Sequence, residues 1–206
     1  MFPPIPSPSS VAEAVQEYNA RFGSLDMNLW SLGQLSVKHF PEEQLAANED
    51  FVWAVKRWGS IQGVWLSDRP SMASALRDLQ LAVEPEECFD RECEESIVQL
   101  VKRLVLDSRV YGVRRSHYSW ASKILHWRLP QMVPVYDSFA RRYVGQGSKE
   151  GETAYRAIVA WEYETARQLT PFREMIVGDV EPRFLLRAID KFVWWVEGGK
   201  VSHIPR

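Results

Sequence analysis

Cysteine, histidine and long apolar runs are scarce in this chain, and each scarcity removes a class of function. Cys88 and Cys93 are the only cysteines among 206 residues. One pair cannot build the disulfide framework of a small secreted domain, and its spacing is not Cys-x-x-Cys. Placed five residues apart on a helix, the two would point in different directions, so the expectation is reduced thiols in an intracellular, cytoplasmic protein. Cys88 lies among Glu86, Glu87 and Asp90, a setting that disfavours the thiolate and argues against a nucleophile. The four histidines, His39, His117, His126 and His203, are scattered and form neither His-Glu-x-x-His nor a Cys/His cluster. No metal ligand set and no cofactor are therefore expected. Both glycine-rich phosphate cradles are missing, as is the Gly-x-Ser-x-Gly elbow of serine hydrolases. No stretch of about 18 apolar residues exists, so no membrane span is expected. The opening MFPPIPSPSS has neither a basic start nor an apolar centre, unlike a secretory signal. Residues 1–9 are expected to form a short extended tail, poorly ordered or draped on the surface, ahead of one helical domain spanning 10–206.

What is present points to a packed core. Apolar residues make up 46 % of the chain and nine are tryptophan; each buried indole removes roughly 200 Å² from water. The apolar spacing is almost everywhere helical. Ser10 and Glu13 read as a capping box, Val11, Ala14, Val15, Tyr18 and Phe22 share a face, and Gly23 stands where a helix would stop. Further helices are expected over 25–59 with a break at Pro41, over 71–81, from the acidic stretch at Glu84 through Val105, over 116–128, from Asp137 to Tyr143 with Gly145 and Gly147 as its stop, over 149–168 and over 182–196. Strand-like alternation is limited to Gly63–Leu66. The fold class expected is all-α.

Net charge is −2, yet its distribution is uneven. Between Lys102 and Arg142 nine Lys/Arg face only Asp107 and Asp137, a local excess of seven positive charges. Such a stretch is either a face for a polyanion or a set of solvated helix faces paired with acidic neighbours. Within it, Ser119 to Gly145 reads SWASKILHWRLPQMVPVYDSFARRYVG: a basic helix, a proline-bounded apolar loop, and an aspartate opening the next helix. Asp137 suits a helix cap, with Arg141 one turn on as a pairing partner. Trp120 and Trp127 fit the core, with base stacking as the functional alternative. Arg187 and Asp190 fit a pair on a helix surface or a tie to the body of the protein, with Asp190 as a second catalytic acid the functional alternative.

This segment resembles the second half of the helix-hairpin-helix DNA glycosylase core. There a helix with a small-residue step is followed by a loop, an apolar stretch, an Asp, a Ser or Thr, and an Arg four further on. Here those features are Ala121-Ser122, the loop around Pro130, Val133 to Tyr136, Asp137-Ser138, and Arg141. The resemblance implies an orthogonal multi-helix fold and a DNA partner. It implies that Asp137 is the catalytic carboxylate that stabilises charge developing on the sugar as a flipped-out base departs. Arg114, Arg115, Lys123, Arg128 and Arg141 would contact the nucleic acid. The nucleophilic lysine of bifunctional members would fall at Ser119, so the implied activity is a glycosylase-type hydrolase. The layout Ser-Lys-x-Leu-His, Pro-x-Tyr-Asp-Ser and Arg-x-x-Asp-Lys-x-x-Trp also resembles a group of bacterial proteins without an assigned activity. Its members here are 122–126, 134–138 and 187–194. The alternative function is a non-catalytic interaction module on the same helical scaffold.

Overall fold

The structure is a computed structural model that describes residues 2–38, 41–58, 87–106, 117–147, 149, 151–178 and 183–198. Among them every regular element is helical: α1 (Pro8–Lys38), α2 (Pro41–Trp58), α3 (Arg91–Leu106), α4 (His117–Arg128), α5 (Ser138–Tyr143), α6 (Glu152–Leu169), a 3₁₀ turn at Thr170–Phe172, α7 (Arg173–Val177) and α8 (Leu185–Gly198). The all-α expectation holds for these residues. None of their helices is long and apolar enough to cross a membrane. The expected helix over 71–81 and the strand-like segment Gly63–Leu66 lie outside the described residues.

α1 departs most from the sequence pattern. It starts one turn earlier than expected, with Ser7 as the cap: the Ser10 amide donates to Ser7 Oγ at 3.2 Å, and Pro8 takes the first helical turn that suits it. The tail is thus shorter than 1–9, and Trp161 Nε1 donates to the Pro3 carbonyl at 3.3 Å, which drapes it on α6. Gly23 does not stop α1 but lies buried within it. A glycine inside a helix costs about 1 kcal/mol. Packing of α1 on α2, α4, α7 and α8 outweighs that cost.

α8 is the central helix. Its first nine residues, Leu185 to Val193, are all buried, and α1, α5, α6 and α7 pack around it. A helix enclosed this way should be apolar on every side. Three of those nine, Arg187, Asp190 and Lys191, carry ionisable groups, and each must find a partner inside the protein. Of the two readings of Arg187 and Asp190, a surface pair or a tie to the body of the protein, the second is found: the pair is interior.

The cysteine expectation is also corrected. Cys88 and Cys93 form a disulfide, with Cα atoms 6.1 Å apart. They do not share a helix, because α3 begins at Arg91 with Asp90 as its cap; Asp90 Oδ1 accepts the Cys93 amide at 2.8 Å. Cys88 lies in the irregular chain before that cap and is free to turn back onto the first helical turn.

Gly33 is where α1 crosses the end of α4. A Cβ there would lie 2.3 Å from the Trp127 carbonyl oxygen, inside backbone that cannot step aside. Gly33→Ala is expected to lower stability by about 1–3 kcal/mol, read as an earlier urea unfolding midpoint.

Candidate functional site

The site begins with the loop between α4 and α5. This loop is apolar and buried, so its backbone polar groups need partners within the protein. Side chains from both flanks supply them. Ser122 Oγ accepts the Tyr136 amide at 2.9 Å, and His126 Nδ1 donates to the Val133 carbonyl at 2.7 Å. From α6, Tyr155 and Tyr163 hydroxyls donate to the Pro134 and Met132 carbonyls at 3.3 and 2.8 Å. Ser122 and His126 stand one turn apart on α4, so one face of that helix clamps the loop. Asp137 emerges from this clamp as the cap of α5, its Oδ1 accepting the Ala140 amide at 2.8 Å. The stop after α5 follows the sequence signal: Gly145 has φ 73°, and its amide donates to the Arg142 carbonyl at 3.1 Å.

Asp137 lines a cleft of about 470 Å³. Its aromatic wall comprises Tyr18 and Phe22 of α1, Trp58 at the end of α2, Tyr136 and Phe139 around the cap, and Trp194 of α8. The charged groups on the cleft are Lys123, Asp137, Arg141, Arg187 and Asp190, with Ser119 one turn before Lys123. The three short motifs of the sequence therefore meet in one place. Lys123 comes from the first, Asp137 from the second, and Arg187, Asp190 and Trp194 from the third.

Beneath the cleft lies a buried ionic network. Arg187 Nε and Nη2 donate to the two oxygens of Asp26 at 2.9 and 2.8 Å, and Nη2 also reaches the Tyr18 hydroxyl at 2.9 Å. Arg187 Nη1 donates to Asp190 Oδ2. Lys191 Nζ pairs with Asp26 at 3.2 Å and donates to Asn19 at 2.6 Å. The Arg187 guanidinium sits 5.0–5.5 Å from the ring centres of Trp127, Tyr18 and Trp58. Burial opposes the charge on Arg187, but Asp26 and Asp190 outweigh it and hold the cation firmly protonated. Burial pushes the Asp190 carboxyl up to about 6 against the pull of Arg187. It also lowers Lys123, which Asp137 and Asp190 partly restore. Glu162 of α6, fully buried behind these acids, is raised well above its ordinary range by burial, then by Asp190 and Asp137.

Of the three predicted nucleic-acid contacts among the described residues, two line the cleft and one does not. Lys123 is only 8 % exposed and faces the cleft interior. Arg141 lines the cleft, stacks on Tyr136 at 5.5 Å and donates to the Lys149 carbonyl at 3.0 Å. Arg128 is corrected: at 4 % exposure it lies against the Phe51 ring and does not reach a phosphate at the surface. Arg114 and Arg115 lie outside the described residues. Lys102 pairs with Glu152 at 2.9 Å and Arg142 with Glu197 at 3.4 Å, as acidic neighbours of a solvated face would. Trp120 and Trp127 are fully buried, and the indoles that line the cleft are Trp58 and Trp194.

Asp26 had no place in the sequence reading, and Tyr18 and Lys191, read there as a core-face residue and a motif member, turn out to be its partners in the ionic network. One signal existed: Asp26 continues the Tyr18–Phe22 spacing toward Leu29, so it is an acid on the apolar face of a helix. The chain matches no protein-family model, no curated protein and no solved structure.

Arg187→Met leaves Asp26 without its bidentate partner inside the protein. It is expected to cost about 3–5 kcal/mol in urea unfolding. His126 supplies a pH test. Burial pulls its imidazole from 6.5 down to about 3. The unfolded chain thus binds a proton in that window that the folded protein refuses, and stability present above pH 6.5 is lost as pH falls toward 3. Asp190, raised from 3.8 to about 6, works in the opposite sense. Relative to wild type, His126→Asn is expected to lose less stability on acidification from pH 6.5, measured as urea midpoints.

Proposed function

We propose that this chain is a DNA-binding protein related in fold to the helix-hairpin-helix glycosylases. It would hydrolyse the N-glycosidic bond of a base drawn into the cleft. The observation that carries this reading is Asp137, a carboxylate anchored through one oxygen and opening onto an aromatic-walled cleft. A cleft of about 470 Å³ lies within the size range of small-ligand sites. A base removed from its stack requires flat apolar surfaces to replace its neighbours, and Trp58, Tyr136 and Trp194 offer them. The anionic oxygen then stabilises the positive charge that develops on the sugar as the base leaves. The clamp on the loop supports the same role, because a charge held in place before the reaction costs no reorganisation during it.

A second reading is a binding module without catalysis on the same scaffold. Its support is specific. Asp137 spends one oxygen as a helix cap, Lys102 and Arg142 are paired with acids, and Arg128 is buried.

The discriminating measurement is base release from duplex oligonucleotides carrying deoxyuridine, deoxyinosine or 7-methyl-deoxyguanosine. Asp137→Asn is expected to lower release by about 100-fold or more while leaving DNA affinity nearly intact. Affinity should fall steeply with salt, because phosphate neutralisation releases counterions. Arg114→Glu with Arg115→Glu should weaken it. Absence of release by the wild type with retained binding favours the module, and absence of both removes the DNA reading.

A further inference from the structure

Asp137 is not the only acid on the cleft. Asp190 lines it too, from the central helix α8 on which α5 packs, and differs in its surroundings. Asp137 is half-buried at a helix start; Asp190 is 8 % exposed on the central helix. Resting on the N-glycosidic reading, we propose that Asp190 is the proton donor of the reaction, delivering its carboxyl proton to the departing base while Asp137 faces the sugar.

The chemistry requires two such groups. As the bond between C1′ and the base nitrogen breaks, its electron pair stays with the base. A neutral base leaves poorly as an anion and readily once protonated. The Asp190 proton goes to the base. Water adds its oxygen to C1′ and yields a proton to Asp137, from which it passes to solvent. Asp190 takes a proton back from solvent, and the net change is addition of one water across the bond. Two carboxyls in one cleft, one enclosed on the central helix and one at a helix start, is an arrangement that can separate an acid from a charged stabiliser.

The surroundings of Asp190 account for that separation. On its own helix, Arg187 holds Oδ2, which fixes the side chain, and Lys191 lies nearby. Asp26 and Tyr18 face it from α1, and Lys123 from α4. Asp137 at the start of α5 and Glu162 of α6 add negative or protonated carboxyls. Burial is the largest influence and favours the protonated acid; Arg187 opposes it. Arg187 is itself committed to Asp26 through two hydrogen bonds, so its charge is shared between two acids.

The test compares two leaving groups. Deoxyuridine or deoxyinosine in a duplex needs a proton to depart. In 7-methyl-deoxyguanosine the ring already carries a positive charge and needs none. For the neutral bases, the wild-type rate is expected to fall about tenfold per pH unit above pH about 6. The cationic base should show no such alkaline limb. Asp190→Asn, which keeps an acceptor for Arg187 but has no acid proton, should slow neutral-base release about 100-fold and abolish the limb, leaving cationic-base release within about threefold. Equal losses on both leaving groups, or a neutral base released without an alkaline limb, overturn the assignment to Asp190 and leave the proposed function standing. If the variant does not fold, the wild-type pH profiles decide alone. A wild type that releases no base of either kind overturns the N-glycosidic reading and this inference with it.

Discussion

The ion pair between Asp26 and Arg187 is the constraint on which the rest of the molecule depends. It joins the middle of α1 to the central helix α8, and neither residue exposes more than 1 % of its surface. Removing two charges from water costs several kcal/mol each, recovered only if the geometry is good and the remaining donors are satisfied. Here they are. Every nitrogen of the guanidinium has an acceptor, the Tyr18 hydroxyl shares one of them, and three aromatic rings surround the cation. Lys191 adds a second cation beside Asp26, and Asp190 a further acceptor for Arg187. Such a network can be satisfied in one register of α1 against α8. That register places Tyr18 and Phe22 opposite Trp194 and forms one wall of the cleft.

The opposite wall depends on a different device. The apolar loop between α4 and α5 has no secondary structure of its own, and a buried loop is unstable unless its amides and carbonyls are paired. Ser122, His126, Tyr155 and Tyr163 do this from two helices. The loop is thereby rigid without being regular, and Asp137 at its end has little freedom to move. His126 serves this frame and stays neutral because burial and Arg187 both disfavour its cation. The two devices meet at the cleft, where groups fixed by the ionic network face a group fixed by the loop clamp.

Charge along the chain and charge in space diverge here. The basic stretch from Lys102 to Arg142 is continuous in sequence, yet α4 turns Lys123 and Arg128 inward while Lys102 and Arg142 meet acids from distant elements. The long stems of lysine and arginine make this possible, since their methylenes pack as apolar groups once the charged end has a partner or a ring to rest on. Among the described residues, Lys123, Arg141 and Arg187 line the cleft together with Asp137 and Asp190.

Local signals were legible where local physics decides. The spacing of apolar residues marked α3, α4, α6 and α8 as helices, Asp137 was readable as a cap, and Gly145 as a stop, because hydrogen bonds within a few residues settle those features. Gly23 misled, since a glycine's preference of about 1 kcal/mol yields to the burial of a whole helix face. The cysteine pair misled for the same kind of reason: their fate turned on where α3 starts. The amino-acid sequence by itself determined that the chain is helical and that Asp137 opens a helix behind an apolar loop. Only the tertiary structure decided that Asp26 neutralises Arg187 across 161 residues, that Asp190 shares a cleft with Asp137, and that Arg128 is withdrawn from the surface. Desolvation and long-range pairing depend on which helices enclose a side chain, and no short stretch of sequence carries that information.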